Sequence, residues 1–461
     1  MSARKSLVTQ GAAIVLAMGL AATVTLALGG REEWLLTCVI GVATLGTLPA
    51  LLTQVRWLDP LAPHVALPVV VFAYYGLGSL NVTTYRGFVE GRIFAVVLLG
   101  LGAFALGCLA ARLACLVIGA AVGETRVAEC RWESGRVFPV ALLLMAVGAA
   151  AVVAACARYG VPLLDIRQRF EVSAYFNYFA ELTWIGALLL FLHNLDARCL
   201  SRAVMGAIVL GVAILVAVLG YRTPVAVFGA AATVCLFYKR RPSYRTLAFA
   251  ALALVAVMSL FWWVRLNVLR EGGRRSTIEM LASRYQAPEW LRPFFTLYMT
   301  CREGTALFSH IVERAPEEGL LDGKLLAADL LTILPGEQES GGYLVVELMG
   351  GTGLAGLTPS ILGGLYLDFG RRGVAVGMAL FGLVTSLVYR IYRTRPTNGR
   401  LAVHAVFLSC ALHYVHRGVF APAYLFDLAV VVLAVWVVGG RSTGERATVR
   451  SRTRCGTPCR P

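Results

Sequence analysis

The sequence predicts an all-α polytopic membrane protein, with about twelve transmembrane helices and one large outer loop containing short or re-entrant helices. Three observations predict it. The 461 residues are 58% hydrophobic and only 15% charged, whereas soluble domains run near a quarter charged. Their mean hydropathy is +0.73. The apolar residues also fall in recurring runs of about 18 to 25, the length of a helix crossing a bilayer, without the alternation of barrel strands.

The first run, Leu7 to Leu28, follows Arg4 and Lys5 as a signal peptide would. Its length and the many later spans make it an uncleaved first helix, near 6–29. Further spans are expected near 35–53, 61–80, 93–122, 137–157, 176–193, 203–220, 223–238 and 246–264. The run at 93–122 is overlong and carries Arg112, so it should tilt or leave the bilayer early. After a long interruption come spans near 371–391, 401–416 and 422–438. The expected divisions are therefore a transmembrane bundle (1–264), an extracytoplasmic loop with a re-entrant Gly-rich segment (265–370), C-terminal spans (371–438) and a basic tail (439–461).

Charge sets the orientation. With the N-terminus inside, inner segments hold about 22 Lys and Arg and the short outer loops about 8, a clear bias by the positive-inside rule. Both termini are then cytoplasmic, in the cytoplasmic (inner) membrane. The net charge of +16 reflects this retention of Lys and Arg, and no nucleic acid is expected as a partner. Eleven cysteines sit singly, and Cys38, Cys108, Cys115, Cys235 and Cys410 lie inside apolar runs as small hydrophobes. Cys455 and Cys459 lack the His or second Cys pair of a zinc site. No cofactor or metal is expected.

The stretch from Gly336 to Gly370 is apolar enough to enter a membrane and too broken to cross one simply. It is dense in glycine, contains Pro359, and embeds Glu347 and Asp368. Non-helical backbone at membrane depth survives only where protein buries it or it lines a cavity. The alternative is a close-packed Gly-rich helix pair. Were Tyr343 to Leu367 a full span, every later loop would flip and the basic RIYRTRPTNGR loop would lie outside. The charge rule therefore favours a re-entrant or surface-docked stretch on the outer side.

Arginines gather at outer helix ends. Arg265, Arg270, Arg274, Arg275 and Arg284 follow the span at 246–264, Arg222 sits in the tight GYRTP turn, and Arg167 and Arg169 lie in YGVPLLDIRQRFEV. Guanidinium forks pair bidentately with phosphate, so the set reads as a diphosphate clamp. Taken singly, each is as well explained by headgroup snorkelling. His416 and Arg417, at another outer helix end, either join the site or anchor the interface.

These pieces, in order, resemble the oligosaccharide repeat-unit polymerases, the O-antigen-polymerase-like membrane proteins, and most closely the archaeal members. The resemblance rests on WLDPLAPHVALPVVVFAYYGLGSL (57–80), YGVPLL (159–164), GYRTPV (220–225), RPFFTLY (292–298), ILPG (333–336) and TPSILGGLYLDFG (358–370). It implies glycosyl transfer on the outer face of the cytoplasmic membrane, joining repeat units carried on a polyprenyl (pyro)phosphate whose phosphate is the leaving group. Membrane lipid, a flippase and a chain-length regulator are the implied partners. On this view Arg222, Arg265 and Arg270, with Arg169 as a weaker member, hold phosphate. Glu347, Asp368 and His310 are candidate bases, and Tyr343 and Tyr366 are placed to stack on sugars. The residues themselves favour Asp368 as a helix cap or a partner of Arg371 or Arg372, and His310 as an ordinary surface histidine, over the catalytic roles.

Absences narrow the class. No Walker A sequence occurs, no Gly-x-Gly-x-x-Gly opens a soluble domain, and no Asp-x-Asp pair offers acidic metal ligands. A metal-independent transfer is expected. The rivals are an O-antigen-ligase-like glycan transferase, which shares the architecture, and a flippase or transporter of lipid-linked sugars. A transporter would show two repeated halves with paired broken helices, and only one broken region is present.

Overall fold

The computed structural model describes residues 59–122, 131–163, 171–268, 277–332, 334, 341–348, 357–418 and 422–440. The predicted spans at 6–29 and 35–53, the tail beyond residue 440, and Arg169 and Arg270 lie outside these. The described chain is helical apart from a two-residue antiparallel pairing of Arg131–Trp132 with Gly439–Gly440.

In chain order the helices are α1 (Pro63–Ser79), α2 (Arg92–Val122), α3 (Ser134–Tyr159), α4 (Ala174–Ala197), α5 (Arg202–Ala217), α6 (Thr223–Arg240) and α7 (Tyr244–Val268). There follow α8 (Thr277–Arg284), a 3-10 turn at Glu289–Phe294, α9 (Phe295–Glu318), α10 (Lys324–Leu331) and α11 (Gly341–Leu348). The last are α12 (Ser360–Thr394), α13 (Asn398–Arg417) and α14 (Pro422–Val438). Four are long and apolar enough to cross a membrane: Arg92–Val117, Gly135–Tyr159, Ala174–Ala197 and Ser360–Thr394. The shorter Arg202–Ala217 and Pro422–Val438 are also apolar.

Local chemistry sets the boundaries. Ser201 accepts from the Val204 amide at 3.2 Å and caps α5, and Thr397 accepts from the Arg400 amide at 3.3 Å to cap α13. Pro224 falls in the first turn of α6, where its missing N–H costs nothing. Gly418 ends α13 with φ +69°, a left-handed C-cap.

Two groups of helices make the core. In one, α1, α2, α9 and α12 bury Tyr75, Phe94, Phe104, Phe308, Ile361 and Met378. In the other, α3 to α6, α13 and α14 bury Trp184, Leu188, Phe228, Ala405 and Val431. Helices already in lipid gain little from burying apolar surface against each other, so close backbone approach must supply the attraction. The α2–α12 seam shows it: Gly107 lies against the Ala379 carbonyl and Gly382 against the Phe104 carbonyl, and a methyl at either would overlap that oxygen.

The Gly-rich stretch is not one helix. Helix α11 ends at Leu348, residues 357–359 are non-helical, and α12 starts at Ser360 and breaks at Gly370 (φ 62°, ψ −153°). The turn folds the arm Ser360–Phe369 back, bringing Leu365 against Gly373 and Gly377 of the long arm. The predicted span at 371–391 is therefore the part of α12 after the break.

Candidate functional site

The fold-back, the α1–α2 loop and α9 meet at one end of the bundle. Arg302, on the buried face of α9 and 0% exposed, ties them together. Its guanidinium donates to the carbonyls of Gly78 at 2.9 Å and Tyr85 at 3.3 Å, and also to Asn81 Oδ1 and the Gly87 carbonyl. A cation is well placed there, since Gly78 carries one of the last carbonyls of α1. Thr84 adds a backbone bond to the Tyr285 carbonyl, and Tyr298 donates to the Leu80 carbonyl.

Beside this tie lies a cavity of about 270 Å³ walled by α1, α6, α7, α9 and α13. Arg222 enters it from the N-cap of α6, after Gly220 at φ +77° has turned the chain. Two imidazoles of α13 face the same space. His416 Nδ1 lies 3.1 Å from the Tyr74 hydroxyl, and His413 Nε2 lies 3.3 Å from Thr223 Oγ1. Tyr424 holds His413 from behind through Nδ1. The Arg222 charge is near enough to act on both imidazoles and on Tyr74. Ala226, Leu254 and Leu297 make the remaining wall apolar. Outside it, α7 turns Phe249, Leu252 and Leu260 away from the protein.

A second cavity of about 430 Å³ lies further along α9 and is more polar. Arg86 and Glu303 form an ion pair at 2.9 Å within it. Burial alone would lower the Arg86 guanidinium, but the Glu303 carboxylate and the Tyr85 ring outweigh it and raise its pKa. His310 and Arg314 line the other side. Gly304 divides the two spaces: the Tyr74 hydroxyl presses on it, and the Thr358 carbonyl lies close by.

The sequence-predicted residues scatter over this end. Arg222 is in the first cavity and His310 in the second. His310 is exposed and lies 3.9 Å from Glu313. Arg265 is on α7 beyond Ser259, itself a wall residue. Glu347 and Tyr343 are exposed on α11. Asp368 does the work of a cap: 3% exposed, it accepts from the Leu325 and Leu326 amides at 3.0 and 3.1 Å at the start of α10. No ion pair joins it to Arg371 or Arg372 among the described residues. Tyr366, 6% exposed, packs in the core and offers no ring face to a sugar. Sequence reasoning left His416 undecided and missed His413, Tyr74 and Arg302. The signal for the histidines was present, since two ionisable side chains one turn apart near a span end mark a site by default.

Chemically, the first cavity offers a fixed cation, an imidazole held by a phenol, and an apolar wall, a combination suited to a lipid-borne anion. Residues 60–426 of the chain match the family described as "Putative O-antigen polymerase". No curated protein and no solved structure matches it.

Proposed function

The chain belongs to that O-antigen polymerase family, a membrane family of glycosyltransferase type, and on this premise we propose that it polymerises polyprenyl-(pyro)phosphate-linked oligosaccharide repeat units on the outer face of the cytoplasmic membrane. The observation that carries this reading is the cavity in which Arg222, His413 and His416 share one space with an apolar wall under α7.

In the proposed reaction the acceptor sugar hydroxyl attacks the anomeric carbon of the donor. A new C–O bond forms, the bond to the diphosphate oxygen breaks, and the lipid diphosphate leaves with the electron pair. Arg222 meets the charge that develops on that oxygen, a term usually worth several kcal/mol in such sites. Arg265, Arg270 and Arg169 complete the clamp, so no metal takes part. His416 takes the acceptor proton: Nδ1 is engaged by Tyr74, leaving Nε2 for the hydroxyl. Glu347, exposed on α11, is the alternative acceptor of that same proton, and Tyr343 on the same helix stacks on sugar.

The topology belongs to the proposal: about twelve spans, both termini cytoplasmic, and residues 265–370 outside, supported by the charge asymmetry of the loops. A flippase would deliver the donor, and a chain-length regulator would set the product size.

Arg222→Ala and His416→Gln should each lower chain extension by about 10²-fold or more without reducing protein in the membrane, because neither packs the core. Gel analysis of surface glycan from a deletion strain carrying each variant reads this as single repeat units in place of a ladder. Full-length polymer from both variants would sink the mechanism. Polymer of normal length left unattached to its final acceptor would instead make the chain a ligase.

A further inference from the structure

We propose that the polar cavity between the α1–α2 loop and α9 is a saccharide-binding subsite that holds the acceptor glycan while the donor lipid occupies the apolar one. The proposal rests on the polymerase reading and assigns a function to a cavity that the phosphate chemistry does not use. Three features of the cavity favour a hydroxyl-rich ligand.

Its size comes first: about 430 Å³ lies within the range of about 300–1,000 Å³ usual for small-molecule sites. Its polar groups come second. Arg86 is paired with Glu303 at 2.9 Å, so a donor and an acceptor are set side by side, and His310 and Arg314 add further hydrogen-bonding groups. Paired donors and acceptors match the adjacent hydroxyls of a sugar ring, each of which donates and accepts. The apolar side chains come third. Leu307 and Leu357 give an apolar surface for the C–H face of a ring.

Position supplies the link to the transfer reaction. Cys301 lines the lipid cavity and Glu303 lines this one, on the same helix and separated by Arg302. Gly304, against the Tyr74 hydroxyl, stands at the boundary, and Tyr74 is the partner of His416. A glycan seated here would present its terminal hydroxyl toward the proposed base. Arg302 holds the Arg86 loop in place from below through the Tyr85 and Gly87 carbonyls, so the subsite is preformed.

The test uses the purified full-length protein in nanodiscs and two probes. One is a sugar-free polyprenyl diphosphate. The other is the lipid-free repeat-unit oligosaccharide released by mild acid from the host's own lipid-linked intermediates. Glu303→Gln, which keeps the shape, should weaken oligosaccharide binding by about tenfold or more and leave diphosphate binding unchanged. Leu357→Trp, which fills the space from a non-helical segment, should do the same. Arg222→Ala should give the reverse pattern, and its failure to do so would count against the phosphate clamp, not against this subsite. Wild-type oligosaccharide binding in both cavity variants would overturn the proposal. So would weakened diphosphate binding with the oligosaccharide unaffected, which would mark an anionic headgroup site.

Discussion

At the scale of the residue, Arg302 shows how much one buried cation can organise. Four oxygens, from Gly78, Tyr85, Gly87 and Asn81, accept from it, and of these the Asn81 oxygen has a second donor in the Val89 amide. Removing it would leave several acceptors buried without donors, each worth about 1–3 kcal/mol. Arg302→Ala should therefore destabilise the protein by about 3 kcal/mol or more, read as a large drop in melting temperature in detergent. Arg302→Lys should recover little, because a point-charge ammonium lacks the fork. An unchanged melting curve for Arg302→Ala would mean the loop is held by other contacts. Nothing in the sequence singled this residue out from the 38 other arginines, because burial is a tertiary property. Arg222 was legible for a local reason: Gly220 and Pro224 flank it and fix its place at a helix start. His413 and Tyr74 were hidden because their meaning arises only when α13, α6 and α1 are brought together.

At the scale of the element, α12 carries the lesson. Its apolar pattern makes the long arm predictable, and the helix after Gly370 coincides with the predicted 371–391 segment. The arm before the break was legible only as a stretch too rich in glycine and proline to be simple. Its direction depends on one positive φ, which no pattern encodes. The seam between α2 and α12 gives a direct test. Gly382→Leu must push the Phe104 carbonyl away, and overpacking of this kind costs about 1–3 kcal/mol or more. Lower yield of folded protein is expected, with a matching loss from Gly107→Leu, and normal yield from both would refute close backbone contact. The helix positions themselves follow the hydropathy runs closely from α1 to α7 and from α13 to α14, since membrane length leaves a helix little freedom.

At the scale of the whole molecule, the two cavities share one end of the bundle, and a different cluster occupies the other. There Asp59 accepts from the Tyr238 hydroxyl at 3.1 Å and the Tyr389 hydroxyl at 2.7 Å, and His404 stacks on Tyr392 at 5.2 Å. The proposed orientation puts the cavities outside and this cluster inside. A single cysteine at His310 should react with a membrane-impermeant maleimide in intact cells, and one at Arg393 only after permeabilisation. The opposite pattern would invert the topology and remove access to an outward-facing donor. The charge rule argues for this orientation from the sequence alone, whereas the meeting of distant helix ends at one pole was not legible there.

The wall shared by the two cavities has a mechanical result. Helix α9 presents Cys301 to one and Glu303 to the other, and Arg302 between them is tied to the α1–α2 loop, so neither face of this wall can shift without disturbing the other. Were the two chambers to hold the lipid carrier and the growing polymer, a single rigid partition would fix the spacing between them, and a substitution on either face would be felt on both.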